Sequence, residues 1–361
     1  MMGEKKKVLI LDNDLIHYRI PIYNILAQRF DLTHACCYPQ KIEDEMLFDR
    51  ITLKPYKIAG FQLQKNNLFD LCQEFDAVIC QGDIHYLQYA TLPMHCRRKF
   101  KLAFWGIGVS ASYDKHFDAN TKWDNVRDFF YKKADAQVFY TEYPIEKYVK
   151  RGYKRESLFV APNTVEVEVF DENAERTNLL FIGTLYAEKG IMHLLESYKK
   201  VYQEIPTLPH FDIIGKGPDT EKVKQWIEEN KLQDRITMHG AIYDRKEKAH
   251  FFEKAIVCIS PMQAGLSVLE SQGYATAFVT TKDAITGGEI FNIKNGESGV
   301  LLGSIEQMAD TIRDITLNPQ KYIDMGVIGR NHYLDCRKPS DMAQGFIDAV
   351  EYMLRKKNKH E

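Results

Sequence analysis

The sequence predicts an α/β protein of two Rossmann-like parallel-sheet domains that face each other across a cleft. Three observations predict it. The chain has 361 residues, long for a single core and suited to two. Short β-branched or aromatic runs alternate with helix-period segments along both halves, the pattern of parallel sheets covered by helices. The rhythm breaks near A-P-N-T-V-E-V-E-V-F-D-E-N at 161–173, where a strand stops at a proline and an acidic connector precedes a new strand. These signals divide the chain into an N-terminal domain at 1–165, a second domain at 166–338, and a crossover helix with a charged tail at 339–361.

Taken in order, the first half predicts strands at Val8–Asp12, Asp31–Cys37, Asp76–Cys80, Lys101–Trp105, Ala136–Tyr140 and Leu158–Ala161. The second half predicts strands at Leu179–Ile182, Phe211–Ile214, Ile236–Met238, Ile256–Ile259, Ala277–Thr280 and Gly299–Leu301. The clearest helix covers 191–202, where Ile191, Leu194, Leu195, Tyr198, Val201 and Tyr202 recur at three- and four-residue spacing and must pack on a sheet. A last amphipathic helix follows Pro339, with Ser340 as its expected N-cap and Phe346, Ile347, Val350, Met353 and Leu354 on one face. It is expected to return to the N-terminal domain.

Apolar residues make up 45% and charged residues 27%, the balance of a soluble globular protein. No apolar run approaches the roughly 20 residues needed to span a bilayer, and the start lacks a cleavage-site pattern, so a cytoplasmic protein is expected. The seven cysteines lie mostly inside apolar runs without a C-x-x-C pair and read as buried thiols. Net charge is +4 over 1–163 and −6 over the remainder. The first half therefore suits an anionic partner, but no basic stripe points to nucleic acid.

Several short stretches carry chemistry. In F-I-G-T-L-Y-A-E-K-G at 181–190, a strand ends at Gly183 and Lys189 stands just before the amphipathic helix. Its ammonium can reach a phosphate at the strand's carboxyl edge, where ligands of doubly wound sheets bind; read alone, it is equally a solvated loop lysine. F-D-I-I-G-K-G-P-D-T at 211–220 departs from the dinucleotide fingerprint at Thr220, and no acidic residue closes the next strand, which argues against a dehydrogenase. L-D-N-D-L at 11–15 reads as a capped turn rather than a metal-holding D-x-D, and no required metal is expected. In C-I-S-P-M-Q-A-G-L-S-V-L-E-S-Q-G-Y at 258–274, a helix starting at Gly265 leaves the N–H groups of Gly265, Leu266 and Ser267 free for a diphosphate. Glu270 lies about 7.5 Å further along that helix, comparable with the distance from a diphosphate to its ribose. The plain alternative is a helix whose Ser267, Glu270 and Ser271 face water.

The order of motifs then becomes informative. G-x-L-x-x-x-K-G, I-x-G-x-G-P, H-G-A-I, P-x-x-x-G-L-S-V-L-E and G-G-E-I-x-x-I-x-x-G-x-x-G follow one another between 178 and 302. This array resembles the retaining, nucleotide-sugar-dependent glycosyltransferases of family 4, which have the GT-B architecture; W-G-I-G at 105–108 matches loosely in the first half. The resemblance implies that Lys189 and the start of the Gly265, Leu266, Ser267 helix hold the donor diphosphate. It implies that Glu270 binds the ribose and that Gly240, Ala241 and Ile242 edge the base. Gly183, Thr184 and Glu289 complete the implied donor set. The chain departs from the family at Thr184, where an arginine is common, and at Met262, where a glutamate commonly stands near the transferred sugar.

Retention, as the resemblance implies it, needs the leaving diphosphate stabilised by positive charge and helix dipoles, with no protein nucleophile. The acceptor is expected on the first domain, where His17, Arg19, Trp105 and Gly106 are the candidates. T-K-W-D-N-V-R-D-F-F-Y-K-K at 121–133 reads as sheet packing or as an aromatic, basic patch suited to a membrane surface. The leading expectation is a metal-independent transferase moving a sugar from a nucleotide diphosphate to a glycan, lipid-linked in the membrane-facing version, in surface polysaccharide assembly. An epimerase or hydrolase on the same scaffold, and a binding protein without catalysis, are the alternatives.

Overall fold

A computed structural model describes residues 4–39, 45–110, 117–119 and 123–355. Thr121 and Lys122 of the aromatic, basic segment, and the charged tail from Lys356, lie outside the described residues. The chain forms two compact units, one holding 118–163, the residues up to 110 and those from 339 onward, the other holding Phe117 and 164–338.

In the first unit, seven strands form one parallel sheet: β1 Lys7–Leu11, β2 Asp31–Cys36, β3 Asp49–Thr52, β4 Ala77–Gln81, β5 Lys101–Gly106, β6 Ala136–Phe139 and β7 Leu158–Val160, in the order β7-β6-β5-β4-β1-β2-β3. β3 escaped the sequence reading because D-R-I-T has no buried run; it is an edge strand with mostly exposed side chains. Short apolar strands such as β1 and β4, buried on both faces, need helices on each side. Ile20–Arg29 (α1) covers one face.

The last helix, Pro339–Arg355, belongs to this unit. It presents Met342, Phe346, Val350 and Met353, all fully buried, to the core that contains Ile10, Ile79 and Trp105. Its approach to the sheet is close enough that a Cβ at Gly345 would fall 2.1 Å from the carbonyl oxygen of Val160. The helix begins at Pro339 itself, so Ser340 lies inside the first turn instead of capping it; proline's fixed φ suits that first position.

The second unit has a six-stranded parallel sheet: β8 Asn178–Ile182, β9 His210–Ile214, β10 Ile236–Gly240, β11 Ala255–Ile259, β12 Ala277–Thr281 and β13 Gly299–Leu302, in the order β10-β9-β8-β11-β12-β13. Helix α2, Ile191–Glu204, buries Ile191, Leu194, Leu195, Tyr198 and Val201 on one face of this sheet. Helices α3, Arg245–Lys254, and α4, Leu266–Gly273, lie against the other face through Ala249, Phe252 and Val268. The strand order reverses between β8 and β11. Loops leaving the carboxyl ends of those two neighbours diverge to opposite faces, which opens a crevice at that point.

Among the described residues, no helix is long and apolar enough to cross a membrane, and no group of three or more His, Cys, Asp or Glu side chains could hold a metal ion. Asp12, from the D-x-D pair, accepts hydrogen bonds from the Asn13 N–H at 2.8 Å and the Tyr23 hydroxyl at 3.2 Å.

Candidate functional site

The carboxyl ends of β8, β9 and β10 are three glycines with positive φ: Gly183 at +145°, Gly215 at +151° and Gly240 at +75°. A Cβ at Gly215 would fall 1.8 Å from the Gly183 carbonyl oxygen, so the backbones touch where side chains would otherwise stand. Gly183 donates to the carbonyl of Ile214 at 2.9 Å, and Gly215 to that of Gly240 at 2.7 Å. The strand ends form a low, bare ledge.

Lys189 lies over this ledge. Residues Ala187–Lys189 make one tight turn, left-handed Gly190 follows, and α2 begins at Ile191. The turn aims the lysine back along β8, so that a Cβ at Gly183 would fall 2.6 Å from its Nζ. Lys189 is 8% exposed, and burial pushes its ammonium down to about 8. No side-chain hydrogen bond or ion pair holds it among the described residues. The other two buried Arg and Lys side chains described, Arg19 and Arg176, are both hydrogen-bonded; Arg176 donates to the carbonyls of Phe252, Tyr274 and Ala255 and to the Thr276 hydroxyl.

On the other side of the switch point, the segment after β11 is firmly anchored. The Pro261 carbonyl accepts from the Thr281 N–H at 3.0 Å, and the Ser260 hydroxyl donates to the Gln263 carbonyl at 2.8 Å. Gln263–Ala264 pair in parallel with Ile285–Thr286, which brings Gly265 beside the G-G-E segment. Gly265 precedes α4 in an extended conformation, with nothing within 4 Å of where its Cβ would be. Among the described residues the N–H groups of Gly265, Leu266 and Ser267 have no acceptor, and the Ser267 hydroxyl is buried without a partner. Positive helix-end potential and open space thus coincide. Glu289, 6% exposed, folds back to accept the Gly287 N–H at 2.9 Å, so its carboxylate shapes the loop.

Met262 is tied to the lysine loop. Its N–H donates to the Lys189 carbonyl at 3.3 Å, and its side chain covers Gly190, where a Cβ would fall 2.8 Å from Met262 Cγ. Next to it, the Tyr186 hydroxyl donates to Gln263 Oε1 at 2.7 Å. Thr184 is exposed beside the ledge.

Glu270, on α4, is ion-paired with Lys248 on α3; both side chains are largely buried. Asp244 caps α3 by accepting the Glu247 N–H at 2.8 Å, and the cap follows the Gly240, Ala241, Ile242 loop. Sequence reasoning missed Lys248, which stands 22 residues before Glu270 without a pattern linking them. It also missed Lys216, whose Cε would lie 3.1 Å from a Cβ at Gly240; the G-K-G at the end of β9 was the available signal.

The acceptor-side candidates lie in the first unit. Arg19 is buried, donating to Asn163 Oδ1 at 2.9 Å and to the Met342 sulfur at 2.8 Å, with its guanidinium over the rings of Tyr18, Trp105 and Tyr140. Trp105 is 3% exposed and meets Phe346 edge to face. Both therefore help dock the last helix. His17 is partly exposed with its ring edge-on to Tyr18, and Gly106 ends β5. On Trp123–Tyr131, Asp124 is held by Arg127 at 3.2 Å and Arg151 at 3.1 Å, while Phe129 is exposed beneath Lys133.

Residues 176–318 match the family model of glycosyl transferases group 1. The match covers the second unit's sheet, including Lys189, Gly265, Glu270 and Glu289. A curated relative, poly(glycerol-phosphate) alpha-glucosyltransferase of Bacillus subtilis (strain 168), is 28% identical over 180 residues, 46% of this chain and 26% of that protein. The chain thus spans about a quarter of that relative's length. Among solved structures, Anabaena HepE in complex with UDP matches with a TM-score of 0.70 at 12% identity, over 96% of this chain and 99% of that one. A point mutant of S. aureus TarM, in complex with fondaparinux, alpha-GlcNAc-glycerol and UDP, matches with a TM-score of 0.58 at 17% identity, over 76% of this chain and 55% of that one. These likenesses show the fold, the GT-B architecture of two parallel-sheet α/β domains.

Proposed function

We propose that this chain is a retaining glycosyltransferase that moves a sugar from a nucleotide diphosphate donor to a glycan acceptor, with the donor bound on the second unit. One observation carries the reading: Lys189 is buried and unpaired at the switch point, over a ledge of bare backbone. Holding an ammonium in that state is costly unless an anion completes it, and a diphosphate meets both Lys189 and the free N–H groups at the start of α4. The match of 176–318 to group 1 transferases and the UDP in the HepE and TarM complexes support the same donor class.

In this reading Glu270 takes the ribose, Gly240 to Ile242 edge the base, and Gly183, Thr184 and Glu289 shape the diphosphate loops. The acceptor hydroxyl attacks the anomeric carbon from the face on which the diphosphate departs. The bond from that carbon to the phosphate oxygen breaks, the new glycosidic bond forms, and the hydroxyl proton passes to the departing diphosphate. Lys189 and the α4 amides stabilise the negative charge that develops there. No metal enters this scheme. The acceptor is assigned to the first unit, with His17 and Gly106 as contacts and Arg19 and Trp105 as their support. A lipid-linked acceptor at the inner membrane face is the version favoured by Phe129, Lys132 and Lys133.

The test is release of nucleotide diphosphate from a panel of UDP-, GDP- and ADP-sugars by the purified chain, with thermal shift alongside. Turnover only with acceptor supports transfer; turnover without any acceptor supports a hydrolase or epimerase. Thr184 and Met262 favour a second reading, donor binding without transfer, which predicts a thermal shift and no turnover. No shift and no turnover with any donor defeats all three.

A further inference from the structure

We propose that Lys248 contacts the ligand together with Glu270, and that the pair selects a ribose bearing both its 2′ and 3′ hydroxyls. The inference rests on the donor-site reading above. Glu270 and Lys248 join the two helices that follow β10 and β11, and their side chains are only 13% and 14% exposed. Lys248 donates to Glu270 Oε1. Among the described residues, no other side-chain partner holds either group: Glu270 Oε2 and two of the three ammonium protons stay open. Arg245, another cation near the start of α3, is engaged by Glu166 at 2.7 Å and Glu168 at 3.1 Å.

The pair is largely covered by protein, yet its open valences still reach solvent, where a ligand can meet them. What it offers is an acceptor oxygen and a charged donor side by side. A hydroxyl is the group that uses both, donating to Oε2 while accepting from Nζ. Two neighbouring hydroxyls match the pair's remaining capacity, whereas a 2′-deoxyribose leaves one largely buried polar group unmet. Lys248 thus adds recognition to Glu270 and does more than neutralise it.

The test is calorimetric titration of the full chain with UDP, GDP and ADP and with their 2′-deoxy counterparts. The wild type should prefer the ribonucleotide by roughly tenfold or more, as loss of a hydrogen bond to a charged group predicts. Lys248→Met should weaken the ribonucleotide by about tenfold and change its deoxy counterpart by less than about threefold, so that the preference collapses. Lys248→Arg, which keeps a donor, should recover most of it, and circular dichroism checks that both variants fold. Equal weakening of the two nucleotides, or an unchanged ratio, overturns the inference and leaves Lys248 a structural partner. If Glu270→Gln binds the ribonucleotide as tightly as wild type, or no nucleotide binds at all, the donor-site reading fails and the inference with it.

Discussion

Arg19 and Lys189 occupy equivalent places: each stands in the loop between the first strand of its sheet and the first long helix, and each is buried. Their surroundings differ. Arg19 is hydrogen-bonded to Asn163 and Met342 and enclosed by three aromatic rings, because the last helix returns to this sheet and fills the space. Among the described residues of the second unit, nothing does the same for Lys189, whose ammonium faces bare glycine backbone. Burial of a cation is thus no sign of function by itself. A buried cation whose valences are still open is one, since folding alone gives no return for desolvating it.

The largest effects should come from removing the two charges. Lys189→Met should weaken nucleoside diphosphate binding by about a hundredfold, measured by calorimetry, from the loss of charge-assisted bonds to phosphate. The same change should raise stability at pH 7 by on the order of 1–3 kcal/mol in urea unfolding, because the native state no longer holds a disfavoured charge. Arg19→Met should behave oppositely, costing about 3 kcal/mol of stability while changing nucleotide affinity by less than about twofold. Equal behaviour of the two variants would erase the distinction.

Titration sharpens the same contrast. The Lys189 ammonium is lowered to about 8 in the folded chain, below its ordinary value of 10.5, so from about pH 8 upward the unfolded chain binds more protons and stability from this group rises with pH. Bound diphosphate favours the protonated form. Affinity should therefore fall as pH rises above about 8, with proton uptake on binding, detectable by calorimetry in buffers of different ionisation enthalpy. No uptake at pH 8.5 would place the phosphate elsewhere.

Smaller effects probe the ledge and its far end. Gly183→Ala places a Cβ 2.6 Å from Lys189 Nζ at a φ of +145°, and should cost about 1–3 kcal/mol of stability and displace the lysine, weakening nucleotide binding. Glu270→Gln should weaken nucleotide binding about tenfold with little loss of stability, since the amide oxygen can still accept from Lys248. Unchanged binding would return Glu270 to a structural ion pair.

Much of this was legible along the chain. The strand positions, the 191–202 helix face and the glycine at the start of α4 follow from periodicity and turn chemistry, which act between neighbours in sequence. β3 was not legible, because its exposed side chains leave no apolar run, and neither was the interior place of Trp105, whose W-G-I-G setting resembles a loop. Met262 stood out as a departure from a family pattern, but that it would cover Gly190 and bond to the Lys189 loop depended on β8 and β11 lying side by side.

The sequence by itself determined most of the strands and helices, and set Lys189 and Gly265 in connections that lead from a strand into a helix. Only the tertiary structure decided which charges are met and which are left open. Asn163 and Met342 lie far along the chain from Arg19, Lys248 is 22 residues from Glu270, and the strand order puts the two loops of the site together. Local patterns record how each segment divides its side chains between core and water. Neutralisation of a buried charge is a property of whatever the fold brings against it, which no local pattern encodes.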